Sequence, residues 1–151
     1  MDIGSGNSYP SCALSNFAPH SFTIDGIECA SMEGFLQSLK FKDIEMQKYV
    51  CTLIGAKAKH KGRPKKWWVE QTLYWQGKAY KRDSAEYQEL LKRAYIELAK
   101  NEGFKKAIIA SKNAVYTHSL GNNDPTHTIL TEREFCLLLI MCRRIILQEN
   151  N

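Results

Sequence analysis

The chain has 151 residues, 44% hydrophobic and 25% charged, with 21 Lys/Arg against 16 Asp/Glu and a net charge of +5. That length suits one domain with a full core, and the composition excludes a disordered chain. The N-terminus, MDIGSGNSYPSC, lacks the basic and apolar regions of a signal peptide, and the longest apolar run, CLLLIM, falls far short of the roughly 20 residues that span a bilayer, so no membrane association is expected.

Five cysteines, an odd number without a C-x-x-C pair, point to a reducing cytoplasm and signal neither a disulfide framework nor a zinc site. Nothing in the sequence calls for a metal or a cofactor. The four histidines are dispersed; His118 and His127 flank Asp124 in THSLGNNDPTH, which reads as a polar loop.

In chain order, residues 1–13 read as an N-terminal tail, and the GSGN pair of glycines has no preceding strand to make it a phosphate loop. SFTIDGIECAS alternates about an Asp25-Gly26 turn and predicts a short β-hairpin. SMEGFLQSLKF then predicts a helix with Ser31 as N-cap. Met32, Phe35, Leu36 and Leu39 form its apolar stripe, and Glu33, Gln37 and Lys40 share a neighbouring polar one. Glu33 in the first turn has two readings: a charge complementing the helix dipole, or a chemical group facing a ligand together with Gln37.

KDIEMQKYVCTLIGAKAKH predicts one or two short helices ending near Gly62 and Pro64. The next stretch, KKWWVEQTLYWQGKAY, is read as helix to about Trp75, closed by Gly77. A clearer helix follows from Asp83 to Lys100, with Asp83 as N-cap and Tyr87, Leu90, Leu91, Ala94, Tyr95 and Leu98 inward. Another runs from about Glu102 to Ala110. The last begins at the capping box Thr131-x-x-Glu134 and continues through Phe135, Leu138, Leu139, Cys142, Ile145 and Ile146. The whole is a helix-dominated α+β chain.

The charge is local. KAKHKGRPKK, residues 57 to 66, holds six Lys/Arg and no acid, leaving 15 Lys/Arg against 16 Asp/Glu elsewhere, a net −1. Trp67 and Trp68 follow at once. Cations beside planar rings suit a nucleotide or nucleic acid, and equally a solvated loop followed by core tryptophans. A His118, Ser119, Asp124 triad is discounted, because the three are neighbours in one loop without a nucleophile elbow.

LSNFAPHSFTIDGIECASMEGFLQSLKF resembles the opening of NADAR domains, the YbiA-like family associated with NAD and ADP-ribose metabolism. There a Ser-Asn-Phe stretch, a short hairpin and an S-x-E-x-x-x-Q-x-x-K-F helix follow in this order. QTLYWQGKAYKRDSAEYQELLKRAY, KKAIIAS and LTEREFC look like one branch of that family, so the resemblance extends from Leu14 to Arg144. It implies a YbiA-like domain over residues 14–148 that hydrolyses N-glycosidic bonds of ribosyl-phosphate or ADP-ribosyl conjugates without a metal, ADP-ribosylated guanine in nucleic acid among them.

By the same resemblance Glu33 is the catalytic carboxylate, and Asn16, Gln37, Lys40 and one of Trp67 or Trp68 line its pocket. Arg63 is the member of the basic run best suited to hold phosphate, because a guanidinium offers two parallel donors. Two departures stand out. Gly34 replaces the His that often follows the glutamate, and an Asp before a Trp-Gly-x-Gly turn is missing. Asp124 and Glu134 are the acids nearby that could stand in for it. The alternative is a non-catalytic module that binds ADP-ribose or nucleic acid through the same residues.

Overall fold

The computed structural model describes residues 1–149. Its element order is α1 (Ser11–Leu14), β1 (Phe22–Ile24), β2 (Ile27–Cys29), α2 (Met32–Ser38), α3 (Ile44–Cys51), α4 (Gly55–Gly62), a 3-10 turn (Trp67–Val69), β3 (Thr72–Trp75), β4 (Lys78–Lys81), α5 (Ala85–Leu98), α6 (Glu102–Ala110) and α7 (Glu132–Glu149). This is the expected helix-dominated α+β architecture. None of the described helices is long and apolar enough to cross a membrane.

The first hairpin forms as its sequence predicts, antiparallel with Phe22 opposite Cys29 and Ile24 opposite Ile27. Asp25 and Gly26 both take positive φ (50° and 78°), the tight turn that an Asp-Gly pair favours. Asp25 is also anchored from outside: Trp75 Nε1 and both terminal nitrogens of Arg93 donate to its carboxylate.

Helix α2 starts where Ser31 accepts from the Gly34 amide, and its predicted apolar stripe is fully buried. Phe35 at its centre meets Phe22 and Trp75 edge-on. The helix packs against both α3 and α4, and glycines set how closely. A Cβ on Gly34 would lie 2.5 Å from the Leu53 carbonyl oxygen, so the departure at this position has a steric cause. Ser31 Oγ donates to that same carbonyl.

Three expectations are corrected. The stretch after the basic run is not a helix. After the 3-10 turn it becomes the hairpin β3–β4, with Leu73 and Trp75 buried and the turn at Gln76-Gly77. The cap of α5 is Ser84, whose hydroxyl accepts from the Tyr87 amide, and not Asp83. Residues 1–13 do not hang free either: Ile3 is fully buried, and Met1 to Ile3 bridge in parallel to Thr117.

The remaining helices follow their patterns. α5 buries Tyr87, Leu90, Leu91, Ala94, Tyr95 and Leu98, α6 buries Phe104, Ala107 and Ile108, and α7 buries Phe135, Leu138, Leu139, Cys142 and Ile146. The Thr131-Glu134 capping box closes as drawn from the sequence: the Glu134 amide donates to Thr131 Oγ1, and the Thr131 amide to Glu134 Oε1.

Candidate active site

Between the polar stripe of α2, the middle of α4, the N-terminal segment and the 118–130 loop lies a cleft of about 470 Å³, within the size range of small-molecule sites. Glu33 and Gln37 face it from α2, Asn16 and Phe17 from the turn before β1, and Lys59 from α4. His118, Gly121 and the 128–130 segment close the far side, with Phe135 at the base of α7.

Each wall is tied to the body of the protein. The Glu33 amide donates to the Asn16 carbonyl, which joins the helix start to the turn. The buried Tyr95 hydroxyl donates to Asn16 Oδ1 at 2.6 Å, so that the Asn16 side-chain NH2 is left for a ligand. Arg82 Nε donates to the Thr128 carbonyl and the Tyr87 hydroxyl to the Ile129 carbonyl, which fixes the loop wall.

Glu33 is the chemically unusual group. It accepts one side-chain hydrogen bond, from Gln37 Nε2 at 2.8 Å. Burial raises its pKa, and the Gln37 hydrogen bond with the positive charges of Lys40 and Lys59 and the nearby His118 only partly offsets this. Lys40 is affected conversely, its pKa lowered by burial against the favourable field of Glu33. Gln37 is itself constrained: its Oε1 is buried without a hydrogen-bond partner, pressed against Gly62, where a Cβ would sit 1.9 Å away. Gly62 thereby leaves the room that the Gln37 amide occupies.

Of the residues predicted from sequence, Glu33, Asn16 and Gln37 come together in the cleft, and Lys40 stands within electrostatic reach of Glu33. The others do not line it. Trp67 is buried in the core and Trp68 is exposed, on the short 3-10 turn. Arg63 is exposed just beyond α4; within the basic run, Lys59 is the residue that reaches the cleft. Asp124 organises its own loop, accepting from Thr126 and contacting His127 at the surface.

Glu134 is engaged structurally. It takes two hydrogen bonds from Arg82 and one each from Gln88 and the Thr131 amide. Burial pushes its pKa up, but those donors outweigh burial and the net shift is downward.

Sequence reasoning missed Phe17, Lys59, His118 and Phe135 as cleft residues. Phe17 sat inside the recognised Ser-Asn-Phe stretch and was therefore within reach. Lys59 belongs to the basic run that stands out by its charge, whereas His118 and Phe135 come from distant segments with no local signal.

From residue 8 to residue 144 the sequence matches the family described as Bacteriophage protein GP30.3. The chain belongs to that family. Over 146 residues it is 41% identical to a protein of Enterobacteria phage T4 described as an uncharacterized 17.1 kDa protein in the Gp30-rIII intergenic region, a match covering 95% of this chain and 96% of the relative. The fold of this GP30.3-family chain is similar to the NMR structure of the E. coli protein YbiA, with a TM-score of 0.63 over 99% of this chain and 86% of YbiA. Sequence identity to YbiA is 14%, so this likeness speaks for the fold alone. The YbiA-like architecture implied by the NADAR resemblance is thus present.

Proposed function

We propose that this protein is a hydrolase that cleaves the N-glycosidic bond of an ADP-ribosyl or ribosyl-phosphate conjugate, with ADP-ribose on guanine in nucleic acid among the candidates. The observation that carries the reading is Glu33: a half-buried residue whose carboxyl has a raised pKa, facing a cleft beside a cation and an imidazole.

Breaking a ribosyl C1′–N bond develops positive charge on the sugar and negative charge on the departing nitrogen. A carboxyl that holds its proton to higher pH than usual is suited to protonate that nitrogen. Once ionised, it stabilises the oxocarbenium-like centre, as in glycoside hydrolysis. Lys59 supplies a charge for a phosphate that stays intact and serves as a handle, and the Asn16 NH2 a directional donor for the sugar. Phe17 offers a ring face to a base. No metal or cofactor enters this scheme, and the five free cysteines suit action in a reducing cytoplasm.

The test is incubation with ADP-ribosylated DNA, NAD and a ribosylamino-pyrimidine phosphate, followed by mass analysis of the released base and sugar. Release from one of them by the wild type, absent in Glu33→Gln, is the expected result. Tight binding without release from any of the three would make the protein a binding module.

A further inference from the structure

We infer that His118 is the second acid–base group of this site, with Nε2 taking the proton of the attacking water. This rests on the glycosidase reading above and adds the partner that Glu33 needs.

The imidazole is held on three sides. Its Nδ1 lies 2.7 Å from the Ile3 carbonyl oxygen, and a carbonyl can only accept, so Nδ1 carries the proton. Phe135 meets the ring edge-on at 5.1 Å between centroids. Gly121 packs against Cδ2 so closely that a Cβ there would come within 2.7 Å. Nε2 has no hydrogen-bond partner among the described residues, and the residue lines the Glu33 cleft. A neutral imidazole with Nδ1 occupied presents Nε2 as an acceptor, which is what a base requires.

The N-terminal segment builds this arrangement. Ile3, fully buried, supplies the carbonyl, and Asp2 accepts from both the Ser119 amide and the Ser119 hydroxyl, fixing the residue after His118. Gly4 and Ser5 border the cleft themselves. Residues that look like a tail in the sequence thus position an imidazole in the site.

The step balances. The water oxygen bonds to C1′ as the C1′–N bond breaks; the electron pair of that bond goes to nitrogen, which takes the Glu33 proton. The water proton passes to His118 Nε2. The products are the free 1′-hydroxyl and the N–H base, and the imidazolium returns its proton through solvent to the Glu33 carboxylate. The charged groups around His118 are Glu33 and Lys59 on the cleft side and Asp2 and Glu132 on the loop side, Glu132 accepting from the His118 amide.

His118→Asn is the discriminating variant, because its amide NH2 can still donate to the Ile3 carbonyl while the base is gone. With the substrate that the wild type hydrolyses, turnover should fall about 10²- to 10⁴-fold at unchanged melting temperature and KM. Imidazole 15N NMR of the wild type should show the Nδ1–H tautomer. Undiminished turnover by a folded His118→Asn, a rise in KM with kcat unchanged, or an Nε2–H tautomer overturns the role of His118 and leaves the glycosidase reading standing. A wild type inactive on all three substrates overturns both.

Discussion

Glu33 and Glu134 both sit in the first turn of a helix behind a hydroxyl cap, two residues after Ser31 and three after Thr131, yet their surroundings drive them in opposite directions. Glu134 receives four hydrogen bonds, two of them from the buried Arg82 guanidinium, and its pKa falls. Glu33 receives one side-chain bond from a neutral amide, and its pKa rises. Burial pushes both upward, so the donors decide the sign. A carboxylate with its lone pairs occupied is an architectural element; one left nearly empty beside a cleft is available for chemistry. The helix dipole, common to both, cannot separate them.

Neutralising each carboxyl is the sharpest way to break this comparison. Glu33→Gln should lower turnover by about 10²- to 10⁴-fold, the scale of losing an acid–base group, with the fold intact. Its stability should be unchanged or higher. The sign follows from linkage: a carboxyl whose folded pKa is raised favours the folded state fully below its ordinary value of 4.5 and loses that contribution as pH rises through the folded pKa. Denaturation curves of variant and wild type should therefore converge in acid and diverge towards neutral pH, the variant the more stable. A Glu33→Gln protein that turns over normally would return Glu33 to the role of a helix-end charge.

Glu134→Ala should show the reverse pattern. Arg82, with 3% side-chain exposure, would be left buried without its counter-ion, at a cost of about 3–5 kcal/mol. Because the folded pKa of Glu134 is lowered, the stability it provides is present above the ordinary glutamate range and lost as pH falls through the folded value. Chemical denaturation at pH 7 and in acid measures this directly: the gap between wild type and variant should narrow on acidification.

What was legible in the sequence follows the range over which each signal acts. The Asp25-Gly26 turn, the Ser31 cap and the Thr131-Glu134 box are each written within a few residues, and all three formed. The second hairpin reads as helix in the sequence although its alternation is present, with Leu73 and Trp75 inward. Its turn also has two positive φ values, 50° and 85°, close to the 50° and 78° of the first, but Gln76 stands where the first has Asp25, and a Gln-Gly pair is a weaker turn signal than Asp-Gly. The site divides similarly. Glu33 and Gln37 are one helical turn apart and Asn16 belongs to a recognisable stretch, whereas His118 and Lys59 reach the cleft only through tertiary packing. The paired tryptophans stand out in the composition beside the basic run, but Trp67 belongs to the core.

Gly62 permits a subtler break, because it controls Glu33 through Gln37. In Gly62→Ala the new methyl would displace the Gln37 amide and with it the single side-chain donor to Glu33. Overpacking of this kind costs about 1–3 kcal/mol, offset in part by roughly 0.5–1 kcal/mol from replacing a helical glycine. The Glu33 pKa should rise further once that donor moves. Sidechain carboxyl NMR would detect the change, and an unaltered titration would show that Gln37 does not tune Glu33.

The smallest effects distinguish Lys59 from Arg63, four residues apart in the basic run. Lys59 lines the cleft and acts on Glu33, so Lys59→Ala should weaken ADP-ribose binding by about tenfold, the lower end of the about 1.5–3 kcal/mol expected for a charged hydrogen bond. It should also let the Glu33 pKa climb. Arg63 is exposed outside the cleft, so Arg63→Ala should leave ADP-ribose affinity within about twofold, the scale of an exposed charge worth under 0.5 kcal/mol. A nucleic-acid strand running over α4 would change that result. Binding of an ADP-ribosylated oligonucleotide would then weaken with salt along a log–log slope of roughly −0.7 to −0.9 per phosphate neutralised, and Arg63→Ala would remove about one such increment. A salt series on both ligands, in the Glu33→Gln background to prevent turnover, measures the two slopes side by side. Equal shallow slopes, indifferent to Arg63, would confine recognition to the cleft and make the substrate a free nucleotide.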